Sequence, residues 1–287
     1  MKHVEAESPR VAASIYLNSA PLIWSFLHGR RRHTMRLLTD TAPARSAQML
    51  ARAEVDAALV PVIEYQRIPE IVVVPEVCVG ARSRVRSVVI VTRGAELKDV
   101  KSVALDTSSR TSAALVQIIF REFLGFEPHW RPSAPDLGQM LEGSDAALMI
   151  GDPAMIFPRR NLRVYDLASL WREHTGLGFV FAMWMAREGS AEKVGAIDFR
   201  GARDEGLERT DEIVAHYEPM LRLPVSELRE YLLENISFEL NEEMRAGLSL
   251  YFELARKHEI IPEVRPLKWL GADDVGQTLT GISTSAD

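Results

Sequence analysis

Arg10-Val11-Ala12-Ala13-Ser14-Ile15-Tyr16-Leu17-Asn18-Ser19-Ala20-Pro21-Leu22-Ile23 is the stretch from which the fold can be read. Arg10 to Ile15 is short and apolar, as a strand is, and Tyr16 to Pro21 closes it. Pro21 suits the first turn of a helix, where its missing N–H would have had no partner. Leu22, Ile23, Phe26 and Leu27 then fall at helical spacing, and Gly29 can end the helix.

The same unit recurs outward from there. Met35 to Leu38 reads as a strand, Pro43 to Ala53 as a helix, Asp56 to Val60 as a strand and Ile71 to Val79 as an extended, valine-rich run, with a short helix from Pro61 to Gln66. Ser87 to Val91 is a strand that Arg93-Gly94 breaks. A second block follows, with strands at Ser102 to Leu105, Ala146 to Ile150 and Gly178 to Ala186, and helices at Thr111 to Phe123 and Ala134 to Glu142. Strands alternating with helices indicate parallel βαβ units, hence an α/β fold. The last hundred or so residues are helical in pattern: Asp211 to Leu221, Ser226 to Ile236 and Asn241 to His258. In the third, Met244, Leu248, Tyr251, Phe252 and Ala255 trace one apolar stripe behind a cap at Asn241. The residues after Gly271 are small and polar, which predicts a frayed end.

This order predicts two α/β lobes with the second inserted in the first. Lobe one takes residues 1–91 and 180–287, and lobe two residues 92–179, with crossings near Thr92 and Phe181. A single α/β sheet with a helical tail would produce nearly the same pattern.

Composition narrows the function. The length of 287 residues allows about two domains. Apolar residues at 47% and charged ones at 26% are those of a globular chain. The net charge of −6 lacks the electrostatic footprint of a nucleic-acid binder, and the Arg30-Arg31-Arg32 run reads as a solvated loop. One cysteine, Cys78, lies in an apolar run and reads as a small core residue. No apolar stretch approaches the roughly 20 residues that span a bilayer, and Met1 to Arg10 has no signal-peptide character. The expected location is therefore cytoplasmic. The seven histidines show no ligand spacing with each other or with Cys78, so no metal is expected. Gly-rich dinucleotide and Walker-type loops are missing, and no cofactor is expected.

Asp106-Thr107-Ser108-Ser109-Arg110-Thr111-Ser112 is the most informative motif. Placed between a strand and a helix, its hydroxyls and free N–H groups gather at a helix N-terminus, which favours anions. An ordinary N-cap at Ser108 or Ser109 needs only one hydroxyl, so the run exceeds what capping requires. Gly151-Asp152-Pro153-Ala154 follows another strand, where Gly151 allows close backbone approach and Asp152 reads first as a helix cap. Asn18 at the first strand end reads as turn chemistry, and Ser87 as solvent-facing polarity.

Together these motifs resemble those of a known family, the chorismate dehydratases of the futalosine route to menaquinone. The resemblance rests on Tyr16-Leu17-Asn18-Ser19-Ala20-Pro21, Arg86-Ser87-Val88, the Asp106 to Ser112 run and Gly151-Asp152 with Ala154, and it covers about Arg10 to Leu270. It implies a fold like the type II periplasmic binding proteins, with chorismate held between the lobes and converted to 3-[(1-carboxyvinyl)oxy]benzoate. Under it Asn18 and Asp152 become catalytic candidates, while Ser87, Ser108, Ser109, Arg110, Thr111 and Gly151 become substrate-binding ones. The site is poor in bases, so the expected proton acceptor is the substrate's own enolpyruvyl carboxylate, with Asp152 as the rival. Alternatives are the dehypoxanthine futalosine cyclase of the same pathway and a non-catalytic binding protein of the same fold. The cyclases carry a His-Glu pair where this chain has Gly151-Asp152, which favours the dehydratase.

Overall fold

A computed structural model describes residues 8–40 and 42–271. The N-terminal stretch Met1–Glu7 and the tail expected to fray both lie outside the described residues.

Strand β1 (Arg10–Ser14) runs into a 3-10 turn, Leu17–Ser19, and then helix α1 (Ala20–Leu27), with Pro21 in its first turn as expected. Next come β2 (Arg36–Asp40), α2 (Pro43–Ala51), β3 (Ala57–Pro61), a 3-10 turn at Val62–Gln66 and the long β4 (Ile71–Ala81). The following block holds β5 (Val88–Thr92), β6 (Ser102–Asp106) and α3 (Thr111–Ile118), which widens into a π-helical turn at Ile119–Leu124. It continues through β7 (His129–Ser133), α4 (Leu137–Gly143), β8 (Ala146–Ile150), α5 (Gly151–Ile156), β9 (Arg163–Asp166) and α6 (Leu167–Thr175). Strand β10 (Phe179–Arg187) returns the chain, and α7 (Ala191–Gly195), α8 (Phe199–Glu208) and α9 (Thr210–Leu221) follow it. Helix α10 (Val225–Glu230) passes into a π turn at Tyr231–Asn235, before β11 (Ser237–Glu239) and α11 (Glu242–Lys257).

Among the described residues the strands form two sheets, ordered β11-β4-β10-β3-β1-β2 and β7-β6-β8-β5-β9. In the first, β1 pairs in parallel with both β2 and β3, and β10 lies antiparallel between β3 and β4. In the second, β6 is parallel to β7 and β8, and β5 is antiparallel to β8 and β9. Every residue of β3, β5 and β8 is buried, because helices cover both faces of these sheets. Strand ends after β1, β6 and β8 carry the motifs singled out above.

The strand expected to close the first lobe belongs elsewhere. β5 pairs Val88 with Ile150 and Ile90 with Leu148, inside the second sheet. The chain therefore crosses between sheets at residues 82–87 and again at 176–178, earlier than the positions near Thr92 and Phe181. A short run buried on both sides carries no periodicity to tell one sheet from the other.

Helix α1, which leaves the first motif, is fixed by α8. The buried Glu205 carboxylate accepts from Ser25 Oγ at 2.6 Å, the Arg30 N–H at 3.0 Å and Arg31 Nη1 at 2.9 Å. The next residue, Gly206, lets the two helices touch, since a Cβ there would lie 1.9 Å from the Pro21 carbonyl oxygen. Alanine is the better helix former by about 0.8–1 kcal/mol, yet here it meets rigid backbone. Gly206→Ala is expected to destabilise the protein by about 1–3 kcal/mol net, read as a lower melting temperature despite the helix-propensity gain.

Candidate active site

A cavity opens where the turn after β1 faces the strand ends of the second sheet. Its empty space, open solvent at the mouth included, is ≈ 550 Å³. Apolar residues such as Leu59, Val79, Ile150 and Phe181 form part of the wall, and Tyr16, Asn18, Gly151 and the run Ser108 to Ser112 form much of the remainder. An apolar wall with a few convergent polar groups is what a small, polar-ended ligand needs.

The serine-rich turn is shaped by its own aspartate. Asp106 Oδ1 accepts from the Ser108 N–H at 2.7 Å and Ser108 Oγ at 2.6 Å, and the Asp106 carbonyl accepts the Ser109 N–H at 3.1 Å. Burial raises the Asp106 carboxyl above its ordinary range, against the lowering effect of the two Ser108 bonds. Helix α3 then begins with Arg110 as its N-cap and no side-chain capping bond. The capping account of Ser108 and Ser109 therefore fails. The first N–H groups of a helix have no partner within it, and Thr111 and Ser112, the first two residues of α3, line the cavity. Arg110 Nη1 donates to Glu64 Oε2 at 2.9 Å, and Arg67 holds the other oxygen of that buried carboxylate at 3.0 Å. Thr111 also joins the sheets: its Oγ1 accepts the Ile63 N–H at 3.3 Å and its carbonyl accepts the Tyr251 hydroxyl at 3.0 Å.

Across the cavity, Asn18 sits in the Leu17–Ser19 turn. Ser19 Oγ donates to the Ser14 carbonyl at 2.7 Å and tightens that turn. The turn is clipped to the second sheet by Asp152, whose Oδ1 accepts the Leu17 N–H at 2.9 Å. Asp152 is thus not the cap of α5, whose N-cap is Ile150. Gly151 takes φ +61°, a left-handed conformation that favours glycine, and a Cβ there would lie 2.6 Å from the Tyr16 ring. The Tyr16 phenol is pushed up to about 12 by burial and by Asp106 and Asp152, while a hydrogen bond with Ser108 opposes the rise.

Ser87 is fully buried rather than solvent-facing. Its carbonyl accepts the Gly151 N–H at 2.7 Å, and its Oγ accepts the Tyr231 hydroxyl at 2.6 Å. The structure thus brings Asn18, Ser108, Ser109, Arg110, Thr111 and Gly151 to one cavity, while Ser87 and Asp152 do not line it and instead bond to Tyr231 and Leu17. Sequence reasoning passed over Tyr16, Glu64 and Tyr231. Tyr16 lay inside a quoted motif and its strand-end position was a usable signal; Glu64 and Tyr231 carried none, because only the fold brings them near.

Residues 9–257 match the profile of a family described as Menaquinone biosynthesis. The chain belongs to that family. The chorismate dehydratase of Thermus thermophilus is 32% identical over 257 residues, which is 83% of this chain and 92% of that one. A solved structure from Archaeoglobus fulgidus superimposes with a TM-score of 0.72 at 18% identity, covering 90% of this chain and 100% of that one. The periplasmic aliphatic sulphonate binding protein SsuA from Escherichia coli does so with a TM-score of 0.63 at 16% identity, over 97% and 98% of the two chains. These two likenesses establish the fold, which is the periplasmic-binding-protein-like one expected from the sequence. Among the described residues no helix is long and apolar enough to cross a membrane.

Burial pushes the Asp152 carboxyl up to about 6 from its ordinary 3.8, although the Leu17 N–H works the other way. Its neutral form is therefore favoured by folding. The stability it contributes is complete below 3.8 and is lost as pH rises through about 6. Asp152→Asn keeps a carbonyl for Leu17 without the charge. We expect it to melt a few degrees above wild type at neutral pH, at about 2–4 °C per kcal/mol for this size. The gap is expected to close towards pH 4, a trend that thermal melts across pH would read directly.

Proposed function

We propose that the protein is a carbon–oxygen lyase, a hydro-lyase that converts chorismate to 3-[(1-carboxyvinyl)oxy]benzoate and water in menaquinone biosynthesis. The observation that carries this reading is the meeting of Asn18 with the uncapped N-terminus of α3 around one cavity. We further infer that it acts in the cytoplasm, in keeping with a single cysteine that is buried.

Chorismate carries a ring carboxylate, an enolpyruvyl carboxylate and a ring hydroxyl. The hydroxyls of Ser109, Thr111 and Ser112, with the N–H groups that open α3, supply donors for a carboxylate, each bond to a charged group contributing about 1.5–3 kcal/mol, while Ser108 keeps Asp106 in place. The apolar wall takes the carbocycle. Loss of the hydrogen on the ether-bearing carbon places charge on the conjugated ring carboxylate, and donors already aimed at that carboxylate strengthen as the charge grows. Departure of the neighbouring hydroxyl as water then leaves an aromatic ring.

Asp152 bonds directly to the Asn18 turn, where its Oδ1 is taken by the Leu17 N–H, and it does not line the cavity. That placement favours the substrate's own enolpyruvyl carboxylate as the proton acceptor. Asn18 orients that carboxylate or the departing hydroxyl, Gly151 lies near the ring, and Ser87 supports the site from behind.

The test is chorismate with pure protein, followed by ultraviolet absorbance for an aromatic product. Wild type is expected to convert it without added metal or organic cofactor. Asn18→Ala is expected to lose about a hundredfold or more in kcat, while Asp152→Asn retains most turnover. Binding without conversion by wild type would instead mark a plain binding protein. Loss of turnover in Asp152→Asn with binding intact would make Asp152 the base.

A further inference from the structure

We propose that Glu64 is a positioning residue for Arg110: its buried carboxylate occupies Nη1 of the guanidinium and leaves the Nε–Nη2 edge free to grip a substrate carboxylate with two parallel bonds. This inference rests on the dehydratase reading above and deepens it.

The two residues come from different halves of the fold. Glu64 lies in the 3-10 turn that follows β3 of the first sheet, and Arg110 is the N-cap of α3, after β6 of the second. Glu64 is buried, at 2% exposure. Its Oε2 accepts from Arg110 Nη1 at 2.9 Å, and its Oε1 accepts from Arg67 Nη1 at 3.0 Å. The turn that carries it is braced on both sides. The Ile63 N–H donates to Thr111 Oγ1 at 3.3 Å, the Tyr65 hydroxyl to the Pro266 carbonyl at 2.6 Å, and the Arg265 N–H to Gln66 Oε1 at 2.7 Å. The carboxylate is therefore a fixed point, and so is the nitrogen bonded to it.

What remains of Arg110 has the shape of a carboxylate receptor. Among the described residues its Nε and Nη2 have no hydrogen-bond partner, and Arg110 lines the cavity. The N–H groups on that edge run parallel, in the fork that matches the two oxygens of a carboxylate. Charge agrees with the geometry, because two guanidiniums around one carboxylate leave the cluster with a single positive charge. Desolvation offsets much of what a buried ion pair gains, which leaves the orientation of Arg110 as its main effect. A long side chain held in advance loses less freedom when the ligand arrives. Glu64 does not touch the substrate, and it acts through the guanidinium.

The experiment is a double-mutant cycle with chorismate. The carboxylate is charged already in the bound substrate, so loss of this grip falls on KM rather than on kcat. Arg110→Ala is expected to raise KM about thirtyfold or more, the scale of two charge-assisted bonds. Arg110→Lys keeps the charge without the fork, and a rise of about tenfold is expected. Glu64→Ala is expected to raise KM about fivefold or more, with kcat within about threefold. The pair Glu64→Ala with Arg110→Ala is expected to match Arg110→Ala alone, because both changes remove one function. A Glu64 that only braced the fold would lower the melting temperature and leave KM where it was. Unchanged KM in Glu64→Ala or in Arg110→Lys, or a double variant whose KM rises by the product of the single effects, overturns the proposal and leaves the dehydratase reading standing. Wild type that leaves chorismate unchanged overturns both. If Glu64→Ala fails to fold by circular dichroism, Glu64→Gln keeps the volume without the charge that holds Nη1 and is judged by the same criteria.

Discussion

The hydrogen bond from the Leu17 N–H to Asp152 Oδ1 joins the turn that carries Asn18 to the strand end that carries Gly151. Around it the Tyr16 ring rests against Gly151, and the Gly151 N–H is held by Ser87. The Leu17–Asp152 and Tyr16–Gly151 contacts lie between different sheets, so they determine how far the first motif stands from the second sheet. A carboxylate buried for this purpose is held away from its ordinary pKa by the loss of water. The polar atoms that define the cavity are thus spaced by a clip that is itself sensitive to protonation.

Opposite this clip, the N-terminus of α3 is left without a capping side chain, with hydroxyls on either side. The aspartate of the turn binds its own serine, and the nearest arginine binds Glu64, so neither closes the end of the helix. Donors fixed in advance need no reorganisation when charge develops near them. The two sides of the cavity therefore differ: one is a helix end rich in donors, the other the tight turn that carries Asn18.

Much of the architecture was readable from local pattern. β8 falls where Ala146 to Ile150 predicted it, and α11 begins behind the Asn241 cap, whose Oδ1 accepts the Met244 N–H at 2.8 Å. The stripe of Met244, Leu248, Tyr251, Phe252 and Ala255 is buried along one face. Edge strands β7 and β9 escaped notice because they are only partly buried and polar, and β7 includes Pro132, which an edge tolerates. Helix α8 escaped because its two glycines, Gly201 and Gly206, weaken the helical signal. Its close packing on α1 depends on one of them.

Sequence alone determined the α/β class, the order of strands and helices, and the strand-end motifs at Asn18, Ser108 to Thr111 and Gly151, because periodicity, turn residues and caps are local properties. Only the tertiary structure decided that β5 pairs in the second sheet, that Asp152 bonds to the Leu17 N–H, and that Glu64 meets Arg110 and Tyr231 meets Ser87. Those facts depend on contacts between residues far apart in the chain, and such contacts arise from packing and hydrogen-bond satisfaction across the whole fold rather than from any window of the sequence.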